Sequence, residues 1–362
     1  MVSLSQFKHW AFSASAIAVA AGLSACGPST TPSTPGTSGA SGNTISISGA
    51  GATAPNPLYQ RWFADFGAKN PNIQISYQSV GSGAGVKQFL EQTVDFGASD
   101  DPLKDEDRAK YPQDRGSGPV QVPTTGVFLT FSYNLDGIDT LKLSRATYCG
   151  ILDGSIKNWN DAAIAKDNAG VTFPDLPIAF VHRSDGSGTT AIFTNHVAKA
   201  CPTWKAGAGK SVEWPVGTGA KGNEGVTAAI QQTPGAIGYT EFSNAKEANL
   251  KMATLENKAG EFIEPSPEAA AKALDGAKPD ENLVVKVPDP AGKDAYPIVS
   301  LTYLLLYEQY PDAAKGEALK SVVAWALKEA SATATELGYI PLPETLVTQV
   351  ASKLDSIKVA AK

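Results

Sequence analysis

Residues 178–199 read IAFVHRSDGSGTTAIFTNHVAK. Ile178–Val181 has the apolar, β-branched and aromatic character of a short buried strand, and Ala191–Lys199 has helical spacing. Between them, His182–Thr190 carries a guanidinium, hydroxyls and glycines. A turn that follows a strand and opens a helix lies at the carboxyl end of that strand, where open α/β sheets take their ligands. The first amides of the helix also point toward any anion in front of them. Arg183 adds a planar donor fork suited to an oxyanion, Ser187 and Thr189 add hydroxyls, and Asp185 is spaced to hold the fork in place.

The same alternation extends in both directions. Strands are expected at Thr44–Ser48, Ile73–Tyr77, Val94–Ala98, Val120–Val122, Val127–Tyr133, Ala236–Tyr239 and Ile298–Tyr307. Helices are expected at Leu58–Phe66, Val86–Gln92, Val226–Gln232, and near 313–329 and 343–357. Strands alternating with helices indicate α/β units with largely parallel sheets. No internal repeat is visible. Roughly 320 residues follow the N-terminal region, more than a single core usually supports, so two lobes are expected.

Three further turns resemble the first in chemistry. Gly49-Ala50-Gly51-Ala52-Thr53-Ala54-Pro55 loosely matches a dinucleotide fingerprint. Pro55 and Pro57 would crowd the first helical turn, however, and no second strand ends in an acid about 20 residues on, so that reading is set aside. Val80–Lys87 reads VGSGAGVK, with glycines that free the backbone and a hydroxyl at Ser82. Asp95–Pro102 reads DFGASDDP and places Asp100 just beyond a strand. Taken singly, each turn is also ordinary loop chemistry, and an Arg-x-Asp pair is commonly a surface ion pair. Four of them in one chain point to an oxyanion site.

At the N-terminus, Lys8 precedes an apolar, Ala-rich run from Trp10 to Leu23 that ends in Leu23-Ser24-Ala25-Cys26-Gly27. The run suits a signal-peptide core better than a membrane span, and its end resembles a bacterial lipobox. Residues 1–25 are therefore expected to be a leader and Cys26 a lipidated first residue; an ordinary cleavage site with a chance cysteine is the alternative. Residues 27–43 contain only Pro, Ser, Thr, Gly, Ala and Asn and make a flexible tether behind Cys26. Loss of the leader moves the formal charge from −6 to −7. Such a chain has no bulk attraction for nucleic acid, and an anion would need local donors. Export leaves Cys149 and Cys201, either as one disulfide or as two buried thiols.

Around these turns the sequence resembles the phosphate-binding subunit of the bacterial phosphate-specific ABC transporter. The matching stretches are GAGAT at 49–53, PLYQRW at 57–62, GSGAGVKQ at 81–88, VDFGASDDPL at 94–103, RSDGSGTTAIFT at 183–194, EWPVGTGAKGNEGV at 213–226 and PGAIGYTEF at 234–242. The resemblance covers essentially all of 44–357. It implies a two-lobed type II periplasmic-binding-protein fold of the α/β class, with the ligand cleft between lobe I (44–126 and 297–362) and lobe II (127–296). It also implies inorganic phosphate as ligand, held by Thr53, Ala54, Ser82, Asp100, Arg183, Ser187, Gly188 and Thr189, with Asp185 orienting the arginine. Position 54 is commonly a larger residue, often Phe, in that family; Ala54 can serve if only its amide is used. The implied partners are the permease subunits of an ABC importer and, through the lipid, a membrane. The chain is then expected to be a monomer at the periplasmic or outer surface, with no cofactor and no metal.

Asp100 among anion donors makes sense only for a ligand that still carries a proton. Phosphate does near neutral pH; sulfate would leave the carboxylate unpaired and repelled. Arsenate shares phosphate's shape and protons and stays open, as does a sensing role without transport. A phosphatase fits less well. After the leader the chain has only His182 and His196, with no HExxH, CxxC or nucleophile elbow. No catalytic residue is expected. The tryptophans and tyrosines are spread as core packing is, with no membrane or sugar stripe.

Overall fold

The computed structural model describes residues 44–360, so the expected leader, Cys26 and the tether through residue 43 lie outside the described residues. The principal elements begin with β1 (Ile45–Gly51), α1 (Asn56–Lys69), β2 (Ile73–Ser79), α2 (Ser82–Leu90), β3 (Phe96–Ser99) and β4 (Val120–Tyr133). They continue with α3 (Arg145–Asp153), β5 (Ala179–Arg183), α4 (Gly188–Ala200), β6 (Thr218–Ala220), α5 (Gly222–Gln232) and β7 (Ala236–Glu241). The chain closes with α6 (Phe242–Glu247), β8 (Lys251–Met252), β9 (Val299–Leu306), α7 (Ala313–Lys328) and α8 (Glu344–Asp355).

All nine of these strands join one curled mixed sheet, and its order shows how the site is assembled. In the first half the order is β2-β1-β3-β9-β4, with β1 parallel to β2 and β3 and with β9 antiparallel to β3 and β4. In the second it is β6-β5-β7-β4-β8, with β5 parallel to β6 and β7 and with β4 antiparallel to β7 and β8. The same arrangement therefore occurs twice, although no repeat is legible in the sequence. Helices α1, α2, α4 and α5 form the crossovers that parallel strands require.

Strand β4 serves both halves. Its 14 residues are buried throughout; Val120–Phe128 pairs with β9 and Leu129–Tyr133 with β7. The sequence pattern divides this strand into Val120–Val122 and Val127–Tyr133, because Pro123 and Gly126 look like a break. The structure runs through them. The register slips between Thr302 and Tyr303, opposite Thr125 and Pro123, so the extra residue Thr124 forms a bulge where a proline's missing N–H is tolerated.

Helix α2 begins at Ser82, four residues before the expected Val86, so the GSGAG segment forms its first turn. Glycine weakens a helix on propensity alone. Here it is required by close approach: a β-carbon at Gly85 would collide with Gly51 and would lie 2.7 Å from the Ala50 carbonyl oxygen. Cys149 in α3 and Cys201 at the end of α4 are joined by a disulfide, with Cα atoms 5.5 Å apart. Among the described residues no helix is long and apolar enough to cross a membrane.

Candidate functional site

Thr53 and Ala54 follow β1, Ser82 opens α2 after β2, and Asp100 follows β3. From the other half, Arg183 ends β5, Ser187 caps α4, and Gly188 and Thr189 are its first residues. Parallel strands send all these positions to one edge, and the curl of the sheet turns the two edges toward each other. All eight are buried, including Asp100 at 1% exposure and Arg183 at 3%. So dense a buried polar cluster is costly unless its groups are mutually bonded or face a polar ligand.

The halves touch directly at these residues. The Gly83 amide donates to the Gly186 carbonyl at 2.7 Å. The Thr189 hydroxyl reaches Asp100 Oδ2 at 3.5 Å. Within the first half, the Ser82 hydroxyl accepts from the Asp100 amide at 3.2 Å.

Arg183 is held from three sides. Its Nε and Nη2 donate to Asp185 Oδ1 and Oδ2 at 2.8 and 2.5 Å, and Nη1 turns to the Thr189 hydroxyl at 3.4 Å. Its amide donates to the Tyr239 hydroxyl at 3.1 Å, and that hydroxyl also meets Thr190 Oγ1 at 2.6 Å. Tyr239 in turn stacks on Phe193 of α4, with centroids 4.2 Å apart, a contact worth about 1 kcal/mol. Burial raises the Asp185 carboxyl, but the Arg183 bonds and charge and the Gly222 amide outweigh it and hold its pKa below the ordinary value. The bidentate pair therefore spends one edge of the guanidinium on Asp185 and leaves Nη1 facing the cluster.

Asp100 is in the opposite position. Burial pushes its pKa up to about 6, against the opposing pull of Thr302, Arg183 and Thr189. Its Oδ1 accepts from the Thr302 hydroxyl at 2.8 Å. A carboxyl this easily protonated suits an acceptor that meets a proton-bearing ligand. A cavity of about 540 Å³, lined in part by Lys104, Ile192, Lys286 and Ser300, opens beside the cluster at Asp100.

Sequence reasoning missed Asn223 and Thr302. Asn223 is fully buried near the start of α5; its Nδ2 donates to Thr53 Oγ1 at 2.8 Å and to Thr189 Oγ1 at 3.1 Å. It thus ties one half's turn to the other's, and its only sequence signal was a polar side chain early in a helix within the matching 213–226 stretch. Thr302 sits mid-strand in VSLTYLLL, where Ser300 and Thr302 alternating with Val299 and Leu301 look like a solvent-facing edge.

The remaining candidates lie apart. His182 stacks on Trp214 with centroids 4.8 Å apart, and its Nδ1 contacts the Arg183 carbonyl. His196 is buried against Tyr148 and Pro288. Neither is bonded to a serine, so no hydroxyl in the cluster has an imidazole to activate it. Among the described residues no group of three or more His, Cys, Asp or Glu could hold a metal ion.

Residues 33–330 match the PBP superfamily domain. The chain is 41% identical to a phosphate-binding protein PstS of Pasteurella multocida (strain Pm70) over 84% of this chain and 88% of that one. It is 40% identical to the phosphate-binding protein PstS of Xylella fastidiosa (strain 9a5c), covering 91% and 89%. Among solved structures it resembles a high affinity periplasmic phosphate-binding protein bound with phosphate, at TM-score 0.72 and 22% identity over 85% and 93% of the two chains. A phosphate-binding protein from Stenotrophomonas maltophilia gives TM-score 0.68 at 21% identity over 85% and 94%.

Proposed function

This chain belongs to the PBP superfamily, and we propose that it binds inorganic phosphate outside the cytoplasm and delivers it to the permease of an ABC importer. The observation that carries the reading is the meeting of Arg183, Ser187, Gly188 and Thr189 with Thr53, Ser82 and Asp100 in one buried cluster. Phosphate sits among these groups with Arg183 Nη1, the Ser82 and Thr189 hydroxyls and the α4 N-terminus as donors. Asp100 accepts the proton that phosphate retains. The relatives named for phosphate binding support the same ligand.

The lobes are residues 44–126 with 297–362, and 127–296, and they close over the ligand about the shared strand β4. Closure removes water and strengthens each neutral hydrogen bond, and reopening releases the ion unchanged. No turnover is involved. Cys26 carries the lipid, and the tether lets the body reach its permease from the periplasmic or outer face of the membrane. The protein acts as a monomer.

Isothermal titration with phosphate, sulfate and arsenate tests this reading. One-to-one phosphate binding with no sulfate heat is expected. Equal binding of sulfate, or no phosphate heat, overturns it.

A further inference from the structure

The Ala54 carbonyl accepts two hydrogen bonds, from the Tyr339 hydroxyl at 2.8 Å and from Asn244 Nδ2 at 3.2 Å. Tyr339 lies just before α8, whereas Asn244 belongs to α6, so the carbonyl is gripped from two separate parts of the chain. The Tyr339 oxygen also meets the Ser243 hydroxyl at 2.5 Å, and the Ser243 hydroxyl meets Glu241 Oε2. Every member of this series is buried, and Glu241 is fully so.

Counting protons along the series fixes its direction. There are three oxygen-to-oxygen contacts: Glu241 to Ser243, Ser243 to Tyr339, and Tyr339 to Ala54. The Ala54 carbonyl can only accept, so Tyr339 must give it its single proton. Ser243 must then give its single proton to Tyr339. The first contact is left without one unless Glu241 supplies it. An ionised Glu241 would leave two oxygens pressed together with no proton between them at one contact.

The surroundings agree. Among the described residues Glu241 has no ion-pair partner, and its Oε1 has no hydrogen-bond partner. Oε2 accepts only from neutral groups, the Ser243 amide at 2.9 Å, the Asn244 amide at 3.3 Å and Asn244 Nδ2 at 3.0 Å. The titratable groups near the chain, Tyr339, Tyr59 and Asp100, supply no positive charge. Burial pushes the Glu241 pKa up to about 7, with the Ser243 and Asn244 bonds pulling the other way. The Glu241 amide also donates to Asn223 Oδ1 at 3.0 Å, and Asn223 holds Thr53. One residue thus reaches both members of the Thr53–Ala54 turn by independent arms.

We propose that Glu241 is a positioning residue kept in its neutral form, whose proton starts a one-way hydrogen-bond chain through Ser243 and Tyr339 to the Ala54 carbonyl and fixes the Thr53–Ala54 turn of the closed site. The inference rests on the phosphate-binding reading for its kinetic test but not for its spectroscopic one. With phosphate as probe, stopped-flow binding is measured for the full chain, Tyr339→Phe and Ser243→Ala. Each variant is expected to release phosphate about tenfold faster, the effect of one lost buried hydrogen bond, with association within about twofold of the parent. The double variant is expected to be little worse than either single one, since the chain works as a unit. Separately, infrared spectra at pH 6 of the parent minus Glu241→Gln are expected to show a protonated-carboxyl C=O stretch. Parental release rates in both single variants, in a parent that binds phosphate, overturn the positioning role. A difference spectrum without the protonated-carboxyl band overturns the neutral Glu241. A parent that does not bind phosphate refutes the functional reading while the infrared result still stands.

Discussion

Gly188 and Ser82 face each other across the two sheet halves so closely that a β-carbon on Gly188 would overlap the Ser82 hydroxyl and lie 2.7 Å from Asp100 Cβ. Helix α4 can begin with almost any residue, so glycine here serves the approach of the halves and not the helix. Gly188→Ala is expected to weaken phosphate binding by about 5- to 150-fold, because overpacking the closed site costs about 1–3 kcal/mol. The ligand-free melting temperature should hold or rise, alanine being the better helix former. Calorimetric titration alongside a thermal melt checks both; a drop in ligand-free stability would place the fault in folding.

Asp185 neutralises an arginine that would otherwise be buried alone. Removing one partner of such a pair typically costs about 3–5 kcal/mol, because the remaining charge is left uncompensated. A bound phosphate dianion can take over that compensation. Asp185→Ala is therefore expected to lose more melting temperature without phosphate than with saturating phosphate. Equal losses in the two states would contradict the pairing argument.

The titration of Asp100 predicts a pH window for selectivity. Its folded pKa of about 6 lies above the ordinary 3.8, so between those values the folded chain holds a proton that the unfolded chain has released. Its contribution to stability is accordingly full below 3.8 and lost as pH rises through about 6. Above that window the ionised carboxyl repels an unprotonated oxyanion; below it the neutral acid can donate to one. Sulfate competition is expected to be absent at pH 8 and to appear as pH falls below about 6. Asp100→Asn should show that competition at every pH. A variant that excludes sulfate as strongly as the parent would rule out Asp100 as the selector.

The Cys149–Cys201 bridge spans 52 residues of chain, for which loop-closure entropy suggests about 4 kcal/mol of stabilisation. It joins the far end of α4 to α3 and touches none of the cluster. Replacing both cysteines by serine is expected to lower the unfolding free energy by about 2–4 kcal/mol while leaving the phosphate Kd within about twofold. Denaturant unfolding and titration of the same sample check this, and a large loss of affinity at unchanged stability would show that the bridge acts on the site.

Much of the site was legible because local rules act locally. A strand, a glycine-hydroxyl turn and a helix specify one ligand-facing edge through a handful of adjacent residues, and Arg183, Asp185, Ser187 and Thr189 all lie within seven positions of one another. Alternating apolar periodicity located most strands and helices for the same reason. The early start of α2 escaped it, because the glycines at 81–85 are explained only by distant contacts, Gly81 with Asp185, Gly83 with Gly186 and Gly85 with Gly51.

What the sequence determined by itself was the α/β class and the strand-to-helix turns with their polar side chains, all of which depend on neighbours in the chain. What only the tertiary structure decided was which turns meet. Strand β4 reads as two segments until its bulge opposite Thr302 and Tyr303 lets it continue past Pro123 into the second half. The pairing of Asp100 with Thr302, the span of Asn223 from Thr53 to Thr189, and the bond from Tyr339 to Ala54 join residues 34 to 285 positions apart. Hydrogen bonds at such separations leave no periodic trace, because each partner looks like an ordinary polar residue until folding buries it and obliges it to find the other.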